Sequence, residues 1–357
     1  TLAPGNAQTP IGQLNVLGDL NFAPGSSYRV VAAADGRHSN VNVGGSANLA
    51  GSVLHLGQNG LYAPSTTYAI VTAGGGVQGR FDSVSSNLAF LTPTLAYDAQ
   101  RVDLIVKLKE VPGGEGGPRP IRFADAANTA NQRAVANALQ SLQSDSGLYR
   151  RVLNLPEGAP ARTFDSLSGE IHATSISALQ GVAGNFVQTP MARMRANLAA
   201  GATPGAATAQ LGLGDAAALP RSAAQPLWAQ AFGNWTTLGG DGNAAKTKQS
   251  DSGISLGGDL AVGSGWRLGG ALGYAGSRSS VAERASSSQA DSYSLAVYGG
   301  KAFDAGAAKI NLSLGAAYTW HDIKTQRQAD AAGSAQTLKA DYNGNTAQVF
   351  TELGYAW

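Results

Sequence analysis

The stretch that decides the fold is INLSLGAAYTWH, residues 310–321, in the last third of the chain. Apolar or aromatic side chains occupy every second position of this stretch, and the positions between them are small or polar. Successive side chains of a β-strand point to opposite faces, so this period predicts a strand with one apolar and one polar face. The predicted apolar face consists of Ile310, Leu312, Leu314, Ala316, Tyr318 and Trp320.

The same period of two continues on both sides of this strand and predicts six antiparallel strands over residues 226–357. The other five segments are 227–235, 254–262, 266–274, 292–297 and 348–357. Trp266 and Tyr274 end one apolar face and lie eight positions apart. Eight residues span about 27 Å along a strand, which at a tilt of ~40° is about 20 Å of depth, near the ~25 Å apolar band of an outer-membrane barrel. The segments are therefore predicted to be transmembrane barrel strands.

The two faces of these strands carry the predicted site residues. An aromatic girdle facing lipid is predicted at Trp266, Tyr274, Tyr318, Trp320 and Tyr355. Polar residues predicted to face the lumen are Asp259, Arg267 and Glu352. Solvation of a polar pore wall is the simpler interpretation of these three, and gripping a helix inside the pore is the alternative.

Connection lengths give the predicted barrel a direction. Turns at 263–265 and 304–306 are short, whereas 236–250, 276–290 and 322–345 are expected to be long loops. Outer-membrane barrels have short periplasmic turns and long external loops. The first strand then starts on the periplasmic side, and residues 184–225 must come down through the lumen to reach it.

Residues 1–110 show short strand patterns separated by Gly, Pro and Asn turns. APGSSYRVV at 23–31 recurs as APSTTYAIV at 63–71, and NVLGDL at 15–20 resembles NVGGSANL at 42–49. Repeats at this spacing predict a solenoid of stacked rungs. The last strand, 101–109, carries lysines and is expected to close the stack while discouraging edge pairing.

Residues 111–225 connect the two β-regions. The stretch 111–120 is a Gly/Pro linker by composition. Residues 121–200 change to a helical period, with helices expected near 127–142, at 165–183 with Asp165 as N-cap, and at 191–198. Residues 201–225 are rich in Ala, Gly and Pro and are predicted to thread the pore.

Composition and motifs exclude several kinds of function. The net charge is +2 without a block of five Lys or Arg, so nucleic acid is not expected as a partner. Cysteine is absent, which excludes disulfides and cysteine-based zinc or catalytic sites. The first 30 residues show no signal-peptide pattern, and no apolar run reaches the ~18 residues of a transmembrane helix.

Two weaker features point to no chemistry. Gly74, Gly76 and Gly79 spell G-x-G-x-x-G, but a strand pattern follows instead of the helix that a dinucleotide site needs. The histidines lack the spacing of metal ligands: His38, His55, His172 and His321. We therefore expect no catalytic residue, cofactor or metal ion in these residues.

Several stretches resemble the classical (type Va) autotransporters of Gram-negative bacteria, and the resemblance covers nearly the whole chain. These stretches are FADAANTANQRAVA (123–136), FDSLSGEIHA (164–173), LWAQAFGNW (227–235), WRLGG (266–270), AYTWHDI (317–323) and ELGY (352–355). The resemblance implies a twelve-stranded barrel, a pore-threading helix and a passenger ending in a right-handed parallel β-helix with an autochaperone region. It also implies outer-membrane insertion by the barrel-assembly machinery with periplasmic chaperones, and a passenger exposed at the cell surface or secreted.

Two departures qualify the resemblance. Only six of the expected twelve strands are present, so further residues are expected beyond Trp357. Some relatives cleave themselves at an Asn-Asn pair in the pore, whereas Asn185 and Asn197 are isolated here, and that chemistry is not carried over.

The main hypothesis for function is an outer-membrane translocator that anchors and exports its own passenger, of adhesin or virulence type, with an unspecified ligand on a host surface. One alternative is a soluble secreted β-helix adhesin fragment. Another is the export domain of a passenger enzyme whose catalytic part lies upstream of Thr1.

Overall fold

The computed structural model describes residues 1–58, 65–113, 116–200, 227–306, 308–330 and 333–356. Internal contacts divide the chain into two units, Thr1–Ser168 with Ala329–Gln336, and Gly169–Gln328 with Thr337–Trp357. The predicted pore-threading segment 201–225, part of the Gly/Pro linker, the start of the second repeat and Trp357 lie outside the described residues.

The first unit begins with three turns of chain, each of three short strands. The strands are β1 (Gln13–Val16), β2 (Leu20–Asn21), β3 (Ser27–Ala32), β4 (Asn40–Val43), β5 (Ala47–Leu49), β6 (Ser52–Gly57), β7 (Ser65–Ala73), β8 (Val77–Gly79) and β9 (Ser83–Ser86). They pair in parallel as β1-β4-β7, β2-β5-β8 and β3-β6-β9. Each face is thus a parallel ladder of stacked strands, while the hand of the coil stays a prediction.

Alternating burial explains why these strands stack. Tyr28, Val30, Val53 and Ile70 point inward and are fully buried, so every added turn removes apolar surface from water. The corners between strands require unusual backbone angles, and Gly51 is an example because its φ of +76° disfavours any side chain. The N–H of Gly51 donates to a carboxylate oxygen of Asp82 at 2.8 Å.

The repeat of 23–31 and 63–71 does not mark equivalent rungs, which corrects the prediction. The first copy leads into β3 and the second into β7, and these strands belong to different sheets. Their tyrosines do have related roles: Tyr28 Oη donates to the carbonyl of Ile70 at 2.8 Å, and Tyr68 Oη donates to that of Ala33 at 3.0 Å. The likeness therefore reflects two aromatic residues that satisfy buried carbonyls across the interior.

The stack continues into an antiparallel hairpin of β10 (Leu91–Tyr97) and β11 (Arg101–Leu108). Strand β11 also pairs with β7, so it lies between two strands. The expectation that 101–109 forms a protective edge is therefore wrong, and β10 takes the outer place. A short pair follows, β12 (Glu110–Val111) with β13 (Arg119–Pro120).

Three helices complete the first unit: α1 (Ala130–Gln140), α2 (Gly147–Leu153) and α3 (Pro160–Leu167). Thr129 and Ser146 cap the first two by accepting from the backbone N–H of Gln132 and Tyr149. Phe123 lies with its ring centroid 4.9 Å from that of Phe90, within the same apolar core as the strands. The helical region predicted at 121–200 is thus divided, because its first part buries its apolar side chains in this core.

The second unit contains one long helix, α4 (Glu170–Ala200), and six strands. Asp165 lies inside α3 rather than at the start of a helix, and residues 170–200 form one helix, so the boundaries predicted at 165–183 and 191–198 are wrong. Pro190 lies within α4 and removes a backbone donor. The helix continues past Pro190, and Phe186, Met194 and Leu198 contact the sheet on both sides of this position.

The six strands form one antiparallel sheet in chain order, as the sequence predicts. They are β14 (Leu227–Leu238), β15 (Thr247–Gly263), β16 (Trp266–Val281), β17 (Ser286–Ala305), β18 (Ala308–Asp330) and β19 (Ala335–Ala356). Short turns occur as predicted at Ser264-Gly265, where both residues have positive φ, and at Gly306. In the described residues, no helix has the length and apolar character needed to cross a membrane.

The expected long loops at 276–290 and 322–345 are wrong. These stretches extend the strands, and the ladder between β16 and β17 continues to the pair Val281–Ser286. Their side chains are mostly polar or charged, which removes the apolar alternation that predicts a strand. Ladder hydrogen bonds join backbone groups, so the strands continue although the side-chain pattern has faded.

Candidate functional site

The polar face of the six-stranded sheet packs against α4 through small residues. Ala271, Ala296 and Ala317 are buried in the cluster that holds Phe186 and Met194 of the helix. A Cβ at Gly273 would lie 2.6 Å from the Phe186 ring, and one at Gly300 would lie 3.0 Å from Cγ of Met194. Glycine and alanine at these positions therefore make room for the helix.

A charged cluster lies where the last turns of α4 meet the sheet. Arg267 Nε donates to Asp259 at 2.5 Å, and its Nη2 donates to the backbone carbonyl of Asp259 at 3.0 Å. Asn197 Nδ2 donates to the two carboxylate oxygens of Asp259 at 3.1 and 2.8 Å. Asp259 is only 1% exposed, so the strand and the helix together satisfy a buried carboxylate.

The third predicted lumen residue, Glu352 on β19, forms an ion pair with Arg195 of α4. Nearby, Trp228 Nε1 donates to Tyr298 Oη at 3.0 Å, and both side chains are buried. The structure thus brings Asp259 and Arg267 together and places Glu352 on a separate helix contact.

The first turns of α4 are held by a second set of contacts. The Glu170 carboxylate accepts from the backbone N–H of Ala245 at 2.6 Å and from Arg284 Nε at 3.2 Å. Ile171 is buried against Ala245 and Val281. His172 Nδ1 lies 3.2 Å from Tyr342 Oη. The helix is therefore bonded to the sheet near both of its ends.

The opposite face of the sheet is apolar and exposed. Leu256, Leu268, Leu272, Leu295 and Leu314 are all more than 40% exposed. Such a continuous apolar surface marks an interaction site rather than a solvated face.

The five predicted girdle aromatics lie on this face, with different exposure. Tyr274, Trp320 and Tyr355 are exposed, whereas Trp266 and Tyr318 are half-buried. Trp266 packs edge-on against Phe303, and Tyr318 packs against Trp320.

Sequence reasoning found the sheet's members of the site but missed their helix partners. Asn197, Arg195 and Glu170 lie in helical segments where no repeat or motif marks them as partners of the sheet. The sequence did contain a usable signal. A helix that packs on the polar face of the sheet covers Asp259 and Glu352, so polar partners for these two residues are expected on that helix.

The glycine motif and the histidines can both be placed in the structure. Gly76 has a φ of +99° in the turn before β8, and a strand follows it rather than a helix. In the part of the chain that the structure describes, no three His, Asp or Glu side chains are grouped as metal ligands.

Comparison with known proteins decides what this sheet is. The family model of the autotransporter beta-domain matches residues 227–357. Residues 227–357 therefore belong to the autotransporter beta-domain family. The autotransporter domain begins with β14 and contains all six strands, and its localisation is the outer membrane with a passenger outside, as expected.

Two curated proteins of Serratia marcescens, both named "Extracellular serine protease", are similar to the chain over almost all of its length. One is 30% identical over 100% of the chain and the other 29% over 99%. In each case the match covers 36% of the relative, so the chain spans about a third of these proteins. The family match favours the translocator over a soluble fragment whose sheet merely resembles a barrel.

Proposed function

We propose that this chain forms the export end of an autotransporter. In this proposal the six strands belong to an outer-membrane barrel, α4 occupies its interior, and residues 1–110 are the folded end of an exported passenger. The observation that carries the proposal is the packing of a 31-residue helix against the polar, small-residue face of the sheet.

The pairing of buried charges supports an interior position for α4. Asp259 is buried, and its charge is satisfied by Arg267 of the sheet together with Asn197 of the helix. The apolar side chains of the other face meet no partner in the described residues and suit lipid contact. We therefore assign Trp266, Tyr274, Tyr318, Trp320 and Tyr355 to the lipid-facing girdle, and Asp259, Arg267 and Glu352 to the lumen.

The parallel stack suits the end of a passenger. Its rungs stack one on another, and the hairpin β10–β11 with α1–α3 packs into the same core at the C-terminal end of the stack. Stacked repeats propagate from a folded neighbour, so residues 1–168 can template upstream rungs after export. Barrel-assembly machinery and periplasmic chaperones are the partners proposed for the membrane step.

These 357 residues contain no cysteine, so an introduced cysteine pair can test the helix position. In the intact protein, Met194→Cys with Gly300→Cys should form a disulfide in the outer membrane, because the two side chains would meet. Met194→Cys with Leu314→Cys is the matched control, since Leu314 is on the opposite face and 46% exposed. Equal cross-linking in the two pairs, or none in either, would contradict the proposal.

A serine protease passenger is the second candidate, favoured over an adhesin by the names of the two relatives. Its catalytic part would lie upstream of Thr1, and the exported stack would join it to the barrel. A fluorophosphonate probe should then label the secreted or surface-exposed product of the intact gene. Export without labelling would favour the adhesin.

A further inference from the structure

The outward face of the sheet changes character beyond its aromatic row. Tyr274, Tyr293 and Trp320 are neighbours across β16, β17 and β18. Moving away from the short turns by two positions, the same face carries the facing pair Asp291 and Asp322. Tyr274 Oη donates to Asp291 at 2.7 Å, which fixes that carboxylate toward the aromatic row.

Basic residues occupy the next two rows of the same face. Four positions beyond Tyr274 lies Arg278, in the row Ser250–Arg278–Gln289–Lys324. The row after it contains Lys248, paired with Ser280. From β14 to β18 neither row carries a carboxylate, so Lys248, Arg278 and Lys324 form a basic belt.

The cations of this belt are exposed, and none of the three is in an ion pair within the described part of the sheet. Arg278 lines a groove of about 470 Å³ with Trp235, Tyr274 and Asp291. Trp235 is 79% exposed at the side of this groove. Positive charge and an aromatic side chain are thus available together on one outward surface.

The depth of the basic belt relative to the bilayer indicates which part of the lipid it contacts. Four residues add about 14 Å along a strand, or roughly 10 Å of depth at the ~40° tilt of such barrels. Aromatic rows mark the boundary between hydrocarbon and headgroups, so a row at this distance lies among the headgroups. Lys and Arg at that level attract anionic lipid groups.

We propose that the basic belt binds the phosphate groups of outer-leaflet lipid headgroups, with Arg278 and Lys324 as the principal contacts. The inference rests on the proposed function, since it requires this face to meet lipid. Asp291 and Asp322 separate the belt from the apolar band, and their charge keeps a phosphate at the level of the belt.

The test uses the intact, folded protein in detergent and titrates it with fluorescent lipopolysaccharide. Removing one cation should weaken binding about fivefold and removing both about thirtyfold, so Arg278→Gln with Lys324→Gln is the main variant. Lys301→Gln is the matched control, because Lys301 lies beside Trp266 near the short turns, at the other end of the face. Its affinity should stay within twofold of the wild type.

Unchanged binding in the double variant would overturn the proposal, as would equal binding of dephosphorylated lipopolysaccharide. If millimolar inorganic phosphate displaced the lipopolysaccharide completely, the belt would be a site for free anions. That result would also overturn the proposal. Heat-modifiable gel migration of the double variant separates this inference from the proposed function. A double variant that folds as a barrel but no longer binds the lipid leaves the proposed export function and the family assignment intact. The absence of a heat-modifiable species in the wild type would contradict the barrel itself.

Discussion

Asn197 on α4 donates from one amide nitrogen to both carboxylate oxygens of Asp259 on β15, at 3.1 and 2.8 Å. Arg267 on the neighbouring strand forms an ion pair with the same carboxylate. The side chain of Asp259 has no exposed surface, and that of Arg267 is 16% exposed. One residue of the helix and one residue of a neighbouring strand thus bind the same buried carboxylate. The helix therefore helps to stabilise a buried charge of the sheet.

Arg267→Ala should destabilise the folded sheet by about 3–5 kcal/mol, because it leaves the buried charge of Asp259 without its cationic partner. The heat or urea midpoint of the folded, heat-modifiable species measures this loss. Arg195→Ala is the control, since that arginine is 54% exposed and pairs of this kind contribute about 0–1 kcal/mol. Should Arg267→Ala itself not fold, Arg267→Met with Asp259→Asn should recover most of the stability; equal midpoints for the two single variants would contradict the prediction.

Leu314→Arg tests which medium the apolar face meets. A charge in the middle of a lipid-facing strand costs about 2–4 kcal/mol, whereas a solvated face would accept it with little change. Leu314 is 46% exposed and stands opposite Gly299. Refolding into bilayers across a urea series measures the difference, and Gln326→Arg, outward and near the far end of β18, should lie within ~1 kcal/mol of wild type. Similar costs at the two positions would argue against a membrane band.

The strands were predictable where side-chain chemistry repeats. In β18 the apolar positions Leu314 and Trp320 alternate with small and polar ones, and both side chains lie on the exposed face of the sheet. The strand ends were not predictable, because beyond Asp322 the ladder depends on backbone hydrogen bonds that leave no apolar pattern.

The site was half predictable for a similar reason. Asp259 and Arg267 stand at alternating positions of apolar strands, where a polar residue is conspicuous. Asn197 and Glu170 stand in a helix of small residues, and only the position of the sheet gives them partners. Continuity of α4 through Pro190 is likewise a result of tertiary contacts, since local preference would end a helix there.

The first unit should lose stability in mild acid through His55. This side chain is fully buried, its Nδ1 lies 2.9 Å from Ser86 Oγ, and burial lowers its pKa to about 4. The unfolded chain binds a proton near pH 6.5 and the folded one does not, so the stabilisation is complete above pH 6.5 and falls as the pH drops toward 4. The loss should approach about 3 kcal/mol.

Urea unfolding of residues 1–168 within the intact protein, followed at pH 7 and pH 5, measures this dependence. His55→Leu removes the titrating group and should flatten the profile between these two values. A variant with the wild-type slope would show that other groups cause the acid sensitivity.

Gly273→Leu should displace α4 from the sheet, because even a Cβ at this position would lie 2.6 Å from the Phe186 ring. The backbone of β16 is fixed by ladders on both sides, so the helix must give way. The Met194–Gly300 cysteine pair reports the displacement, and its cross-linking should fall severalfold in the Gly273→Leu background. Adding Phe186→Ala removes the obstructing ring and should restore cross-linking, whereas Gly270→Leu, on the outward face of the same strand, should leave it unchanged. Loss of cross-linking that Phe186→Ala cannot repair would mean that the substitution damages the strand, and the close approach of helix and sheet at Gly273 would then not be what positions α4.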